Sequence, residues 1–190
     1  MERNFTLVVV FAALIVVLGL VPAIPLWFGV PITMQSLGVM LAGAVLGSWR
    51  GAAAVLLVQF LVALGLPVLA GGRGGLGIFV GPTAGFLIGW LPAAFVTGLI
   101  VEHLRRLPLG LVAGLASVAG GIGVMYVFGI LGFWLVKNAG LAAGDPKMSL
   151  WAATTIMAPF IPGDILKAVL AGAITQTIAR YRPSALLARG

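Results

Sequence analysis

The chain has 190 residues, of which 62% are hydrophobic and 8% are charged, whereas roughly 25% of the residues of a typical soluble domain are charged. This composition excludes a water-soluble fold. The 11 Lys and Arg outnumber the 4 Asp and Glu, but they are scattered between apolar stretches, so we expect no nucleic-acid partner.

Six apolar segments follow one another along the chain. They lie at residues 5–21, 33–49, 50–66, 82–101, 109–136 and 149–181. A membrane-spanning helix needs about 20 such residues, and proline and glycine interrupt the pattern between the segments. We therefore predict an all-α membrane protein in which residues 1–190 form a single bundle of six transmembrane helices within the lipid bilayer.

The first segment has some features of a secretory signal sequence, because Arg3 precedes the apolar run and Ala23 follows it. The run from 5 to 21 is longer than a signal core, Glu2 weakens the basic start, and Pro22 is unsuited to a cleavage site. We therefore predict that this segment is retained as the first transmembrane helix.

Basic residues predict which side of the membrane each connection faces, because Lys and Arg are retained in the cytoplasm. With six helices, both termini share one side with the connections after the second and fourth helices. That side carries Arg3, Arg50, Arg105, Arg106, Arg180, Arg182 and Arg189, and the opposite side carries Arg73, Lys137 and Lys147. We therefore predict a multi-pass protein of the cytoplasmic (inner) membrane with both termini in the cytoplasm.

Glycine recurs at four-residue spacing in two of the predicted helices. One series is Gly43, Gly47 and Gly51, and the other is Gly81, Gly85 and Gly89. Because lipid provides no hydrophobic drive for helix association, close contact between such faces must supply dispersion energy. We predict that both series pack helices within the chain, and association between copies is the alternative.

The connection between the third and fourth helices is rich in glycine and contains one charge, Arg73. Residues 69–77 read LAGGRGGLG. Glycine permits tight turns that expose backbone N–H and C=O groups, and an arginine can hold a carboxylate through two parallel hydrogen bonds. The GxGxxG pattern in this stretch follows no strand and does not predict a dinucleotide site. We predict an external loop that caps a binding site, the alternative being a flexible linker.

A charge pair, Asp164 and Lys167, interrupts the last apolar segment. An isolated charge at membrane depth costs at least ~2.5–3.5 kcal/mol, so such residues normally face a cavity or one another. The i, i+3 spacing places both on one helix face, and Pro162 predicts that the helix bends or restarts there. About 20 Å of helix separates Lys167 from Arg180, which places the pair in the outer half of the membrane. The pair forms either a binding site or an ion pair that only stabilises the sixth helix.

Few other polar residues lie within the predicted helices. Gln35 lies at the outer end of the second helix, level with Asp164, and Tyr126 lies in the fifth. The chain has no cysteine, no HExxH zinc motif, no nucleophile elbow and no phosphate-binding P-loop, so we predict no catalytic residue, metal or cofactor. It is therefore not expected to be an enzyme, and it cannot hydrolyse ATP itself.

Four ordered motifs carry a resemblance to a known family. They read PITMQSLG at 31–38, GLPV at 65–68 followed by the loop to 77, GPTAGF at 81–86, and PFIPGDILK at 159–167. Over nearly its whole length the chain resembles the BioY family, the biotin-specific substrate-binding (S) components of energy-coupling factor (ECF) transporters. The resemblance implies a six-helix bundle that captures biotin at its outer face and works with a transmembrane T-component and cytoplasmic ATPase subunits.

The resemblance also assigns roles at the ring end of biotin. The ureido ring has two N–H donors and one C=O. Asp164 is expected to accept from the ring N–H and Lys167 to donate to the ring oxygen, as the two ends of one hydrogen-bonding site rather than as a salt bridge. Tyr126 is expected to pack against the bicycle or to hydrogen-bond it.

At the carboxylate end, the resemblance implies contacts with the glycine-rich loop and its neighbours. Arg73 or Gln35 is expected to meet the carboxylate. Gly72 and Thr83 complete the expected substrate-binding residues.

Three other functions fit the same residues. An S-component for a different small vitamin would bind that vitamin in competition with biotin. A structural membrane protein, in which Asp164 and Lys167 only stabilise a helix, would bind no biotin. A proton-coupled secondary carrier would use Asp164 as a proton site, and its uptake would depend on a proton gradient rather than on ATPases.

Overall fold

The computed structural model describes residues 2–22, 32–139, 141 and 145–189, and their regular secondary structure is helical. Eight α-helices follow in chain order: α1 (Glu2–Leu18), α2 (Gln35–Leu46), α3 (Ser48–Ala63), α4 (Ala84–His103), α5 (Leu109–Val118), α6 (Met125–Ala139), α7 (Leu150–Met157) and α8 (Ile161–Tyr181). Short 3-10 turns lie at Leu76–Val80, Ala158–Phe160 and Pro183–Ala185. The predicted all-α class is confirmed for these ranges, and Pro31 of the first motif lies outside them.

The eight helices form six continuous rods within the described ranges, and each rod matches one predicted apolar segment. A π-helical segment, Ala119–Val124, joins α5 to α6 in a rod that spans Leu109–Ala139. The 3-10 turn Ala158–Phe160 joins α7 to α8 in a rod that spans Leu150–Tyr181. These two rods and α4 are long and apolar enough to cross a membrane.

Helix α2 is shorter than its predicted segment because a single glycine, Gly47, separates it from α3. Gly47 has a φ of 89°, a conformation that favours glycine, and it ends α2 after 12 residues. At that length α2 measures about 18 Å, against about 30 Å for the hydrocarbon core of a bilayer. Every residue of α2 is nevertheless buried, because the helix packs against α1, α3, α4 and α8 at the centre of the bundle.

Members of both predicted glycine series lie at helix contacts within the chain. Gly43 lies against the Ala94 carbonyl of α4, and Gly85 lies against the Phe128 carbonyl of α6, each so close that an added Cβ would overlap the backbone. The missing side chains therefore let α4 approach both α2 and α6, as the intramolecular interpretation predicts.

The π-helical segment lies where its rod passes close to α2 and α4. A Cβ on Gly120 would overlap backbone atoms of α4, and one on Gly121 would overlap the Met40 side chain of α2. A π turn inserts one extra residue into a helix, so it rotates the residues that follow. The segment thereby sets the direction in which Tyr126, in the first turn of α6, points.

At the end of the bundle where α4 finishes, Glu102 caps the start of α3. Its two carboxylate oxygens accept hydrogen bonds from Ser48 N and Ser48 Oγ, both at 2.8 Å. The C-terminal residues fold onto the same end, where Leu187 N donates to Val45 O at 2.8 Å and the Arg189 guanidinium donates to Leu104 O at 2.7 Å. Side chains and the C-terminal segment thus supply the hydrogen bonds that the helix ends lack.

We expect Glu102→Ala to lower the free energy of unfolding by about 1–2 kcal/mol, because the first turn of α3 loses its acceptor. Thermal unfolding of the purified protein in detergent measures the change as a lower midpoint. Arg106→Ala, at an exposed position beyond the end of α4, is the control and should leave the midpoint unchanged. An unaltered midpoint for Glu102→Ala would contradict the capping role.

Candidate functional site

The charge pair lies near the start of α8, in the middle of the rod that α7 and α8 form. The 3-10 turn Ala158–Phe160 precedes α8, and Pro162 lies in the first turn of α8, where a proline removes no helical hydrogen bond. Near Pro162, where the sequence predicts a bend or a restart, the rod changes from α-helix to a 3-10 turn and back to α-helix. Asp164 and Lys167 follow one turn apart, and they expose only 7% and 5% of their surface.

Hydrogen bonds join this pair to α6 and to the start of α2. Lys167 Nζ lies 2.8 Å from Asp164 Oδ1, and it also donates to Ser36 Oγ at 3.0 Å and to Thr33 O at 2.7 Å. Asp164 Oδ2 accepts a hydrogen bond of 2.6 Å from the Tyr126 hydroxyl. Three helices that are distant in sequence therefore meet at one charged centre.

In the structure the Asp164 and Lys167 side chains form a salt bridge, and their predicted roles as acceptor and donor toward a ligand ring stay a prediction. Two opposite charges that are buried one turn apart on the same helix face reduce each other's desolvation cost when they pair. The atoms that form the salt bridge, Lys167 Nζ and Asp164 Oδ1, are therefore also atoms that could hydrogen-bond a ligand.

The pair opens on a cavity of about 660 Å³, a volume that includes the open space at its mouth. Six of the predicted binding residues line it: Gln35, Arg73, Thr83, Tyr126, Asp164 and Lys167. The apolar lining consists of Ile32, Leu69, Ile78, Phe86, Leu87, Trp90, Met125 and Phe160. The cavity thus has a charged, hydrogen-bonding group set in a largely apolar wall.

Gln35 holds the glycine-rich loop against the bundle. Its amide nitrogen donates to Ile15 O at 3.2 Å and to Val68 O at 3.1 Å, and its amide oxygen accepts from Ala70 N at 2.9 Å. An amide nitrogen has two N–H donors, so both are engaged by backbone carbonyls of α1 and the loop. Gln35 is 1% exposed and links three parts of the chain beside the cavity.

The loop itself is folded, which argues against the alternative of a flexible linker. The Leu69 and Arg73 backbones form a β-bridge, Gly75 N donates to Val62 O at 2.7 Å, and Arg73 Nε donates to Ala70 O at 3.1 Å. These contacts direct Arg73 to the cavity wall.

Gly72 is the one predicted binding residue that does not line the cavity. It is exposed, and its N–H donates to Leu69 O at 3.0 Å in the turn that ends at Arg73. Its φ of 69° favours glycine, so a backbone conformation explains this glycine without a ligand contact.

Sequence reasoning missed Ser36 as a member of the site. Ser36 Oγ lies 3.3 Å from Asp164 Oδ1 and accepts from Lys167, although 128 positions separate Ser36 from Asp164 in the chain. Its position next to Gln35 in the first motif was the available signal. The aromatic residues Phe86, Trp90 and Phe160 were also missed, because hydropathy does not distinguish a cavity wall from a lipid-facing surface.

The chain is similar to known proteins along nearly its whole length. A family model described as the BioY family matches residues 2–184. The biotin transporter BioY of Rhodobacter capsulatus is 78% identical over 190 residues, which cover 100% of both chains. The biotin transporter BioY of Rhizobium etli is 52% identical over 182 residues, which cover 93% of this chain and 92% of the relative.

The fold is also similar to a solved structure. The crystal structure of the S-component for biotin from an ECF-type ABC transporter superposes with a TM-score of 0.85 at 29% sequence identity. The alignment covers 94% of this chain and 92% of the other. The two chains therefore share their architecture over nearly their whole length.

Proposed function

The chain belongs to the BioY family, and from that premise we propose that it captures biotin for import across the cytoplasmic membrane as the substrate-binding subunit of an ECF-type transporter. Two relatives named biotin transporter BioY match it at 78% and 52% identity. The observation that carries the proposal is the buried Asp164–Lys167 pair, which opens on a cavity with an otherwise largely apolar wall.

The charge pair matches the ureido ring of biotin in hydrogen-bonding capacity. A carboxylate only accepts and an ammonium only donates, so Asp164 accepts from the ring N–H groups and Lys167 donates to the ring oxygen. Bonds to charged groups are stronger than those between neutral groups, and burial protects them from competition with water. Tyr126 donates to the far oxygen of Asp164 at 2.6 Å and keeps the carboxylate oriented.

The apolar wall suits the thioether ring and the valeryl chain. Phe86 and Tyr126 pack edge to face with ring centroids 5.8 Å apart, and Leu87 and Trp90 lie on the same helix as Phe86. Burying the hydrocarbon part of biotin against these side chains contributes about 25 cal/mol for each Å² removed from water.

Arg73 is the residue that we assign to the carboxylate. It lines the cavity beneath the folded loop, and a guanidinium can hold a carboxylate through two parallel hydrogen bonds. Gln35 has both amide donors engaged by backbone carbonyls, so we assign it to holding the loop. Thr83 lines the same cavity and completes the binding residues.

We expect Arg73→Gln to weaken biotin binding by about tenfold, which corresponds to about 1.4 kcal/mol and to the lower range for a bond to a charged group. The affinity for biotinamide, which lacks the carboxylate, should stay the same. Titration of the purified protein with both ligands measures the difference. An equal loss for both ligands would contradict a contact between Arg73 and the carboxylate.

We propose that the six rods span the membrane with both termini in the cytoplasm. The basic ends of α4 and α8, with Arg105, Arg106 and Arg180, favour this orientation. It places the cavity and the loop that carries Arg73 at the outer face, where a vitamin arrives.

ATP hydrolysis is assigned to partner subunits, namely a transmembrane T-component and cytoplasmic ATPases. The sequence contains no P-loop, so this chain has no means of binding nucleotide phosphates through that motif. Uptake in cells that contain the partner subunits should be lost when their ATPase is inactivated. Uptake that instead depends only on the proton gradient would favour the secondary carrier.

Biotin binding by the purified chain is the direct test. We expect a submicromolar Kd, or about −8 kcal/mol or better, in isothermal titration calorimetry. Excess riboflavin or thiamine should not displace biotin. Displacement by either would indicate an S-component for another vitamin, and the absence of biotin binding would favour the structural alternative.

A further inference from the structure

Ser36 lies between the two members of the charge pair. Its Oγ is 3.0 Å from Lys167 Nζ and 3.3 Å from Asp164 Oδ1, and the residue is 8% exposed. Because an ammonium only donates and a carboxylate only accepts, Lys167 donates to Ser36 and Ser36 donates to Asp164. The hydroxyl proton of Ser36 therefore points toward Asp164.

Lys167 has no N–H donor left beyond those contacts. An ammonium has three N–H groups, and Lys167 Nζ donates to Thr33 O at 2.7 Å, to Asp164 Oδ1 at 2.8 Å and to Ser36 Oγ at 3.0 Å. A ligand oxygen that binds Lys167 must therefore replace one of these three acceptors or share its N–H.

Ser36 is the acceptor that is replaced at the lowest cost. Displacing Thr33 O would leave a backbone carbonyl without its partner, and displacing Asp164 would separate two buried charges. Ser36 loses only one lone-pair contact and keeps its own hydrogen bond to Asp164. Before a ligand binds, Ser36 holds the Lys167 ammonium at a defined position beside the cavity.

We propose that Ser36 is a positioning residue that holds Lys167 as a donor toward the ligand ring and thereby makes the site select a urea over a guanidinium. This inference rests on the proposed function and deepens it. A guanidinium ring has N–H where the urea has oxygen, and it is positively charged, so a fixed ammonium repels it. Without Ser36 the ammonium moves toward Asp164 and Thr33, and both the bond to the urea and the repulsion weaken.

The experiment compares biotin with 2-iminobiotin, in which a guanidine that is protonated at neutral pH replaces the urea. Both ligands are titrated into the purified full chain carrying Ser36→Ala or Ser36→Cys. Cysteine nearly preserves the side-chain volume but is a weak hydrogen-bonding group, so it controls for lost packing and carries the test if the alanine variant does not fold. We expect both variants to weaken biotin binding by about tenfold and to leave 2-iminobiotin binding unchanged or tighter.

Ser117→Ala is the matched control. Ser117 is fully buried, and its hydroxyl has no hydrogen-bond partner in the part of the chain that the structure describes, so both affinities should stay at the wild-type values. A parallel loss of both ligands in the Ser36 variants would assign Ser36 to packing and overturn the inference, as would unchanged binding of both. Failure of the wild-type chain to bind biotin would instead overturn the proposed function, so the two failures are distinguishable.

Discussion

Asp164→Asn is expected to weaken biotin binding by about 10- to 150-fold, the equivalent of a hydrogen bond to a charged group at about 1.5–3 kcal/mol. Asp164 accepts from Tyr126 on one oxygen and from Lys167 and Ser36 on the other. Asparagine has a similar shape, but its amide nitrogen donates where the carboxylate accepts. The amide nitrogen of the asparagine would therefore face N–H or O–H donors of the protein or of the ureido ring, and two donors cannot form a hydrogen bond with each other.

Isothermal titration calorimetry of the purified chain measures this loss. Asp145→Asn is the matched control, because Asp145 is exposed and does not line the cavity. It should change the Kd by less than about twofold, because Asp145 lies outside the cavity lining. Wild-type affinity in the Asp164→Asn chain would contradict the assignment of Asp164 as the acceptor of the ring N–H.

Lys167→Met is expected to weaken biotin binding to a similar extent and also to destabilise the fold. Methionine retains much of the aliphatic chain, but it provides no donor for the ring oxygen. The change leaves Asp164 charged and buried without its ionic partner, a loss that costs about 3–5 kcal/mol in other proteins. Calorimetric titration with biotin and thermal unfolding in detergent measure the two effects separately, with the exposed Lys147→Met as the control for both.

The double variant Asp164→Asn/Lys167→Met separates binding from stability. Removing both charges together eliminates the unpaired buried ion, so the unfolding midpoint should return toward the wild-type value. Biotin binding should stay at least as weak as in the single variants, because neither the carboxylate nor the ammonium is restored. Recovery of binding together with stability would indicate that the pair only supports the fold.

The fold was largely predictable from hydropathy and from the positions of proline and glycine. A bundle in lipid must satisfy its backbone hydrogen bonds within each helix, so long apolar segments leave little choice of secondary structure. The predicted fourth segment, 82–101, corresponds to α4 at Ala84–His103, and Pro162, where a bend or a restart is predicted, lies in the first turn of α8. Helix ends shifted by a few residues, because caps such as Glu102 on α3 come from other helices.

Site residues were predictable from the sequence only where the residue type is unusual for its own segment. Asp164 and Lys167 stand out because charges are rare at membrane depth, and Arg73 because it is the one charge in a glycine-rich loop. The sequence predicts the location of Gln35 near the Asp164 region correctly, but the two backbone carbonyls that accept its hydrogen bonds, Ile15 O and Val68 O, lie in other elements. Only the tertiary structure therefore shows that Gln35 holds the loop.

The amino-acid order alone determined that the chain is an α-helical membrane bundle with a polar site near the middle of its last rod, because hydropathy and the cost of burying a charge can be judged within a single segment. Contacts between segments depend on how the rods rotate and pack. The π turn at Ala119–Val124 directs Tyr126 to Asp164, and Gly43 brings α2 close to α4. Only the tertiary structure could place Ser36 between Asp164 and Lys167, because side chains far apart in sequence meet through packing rather than through any periodicity.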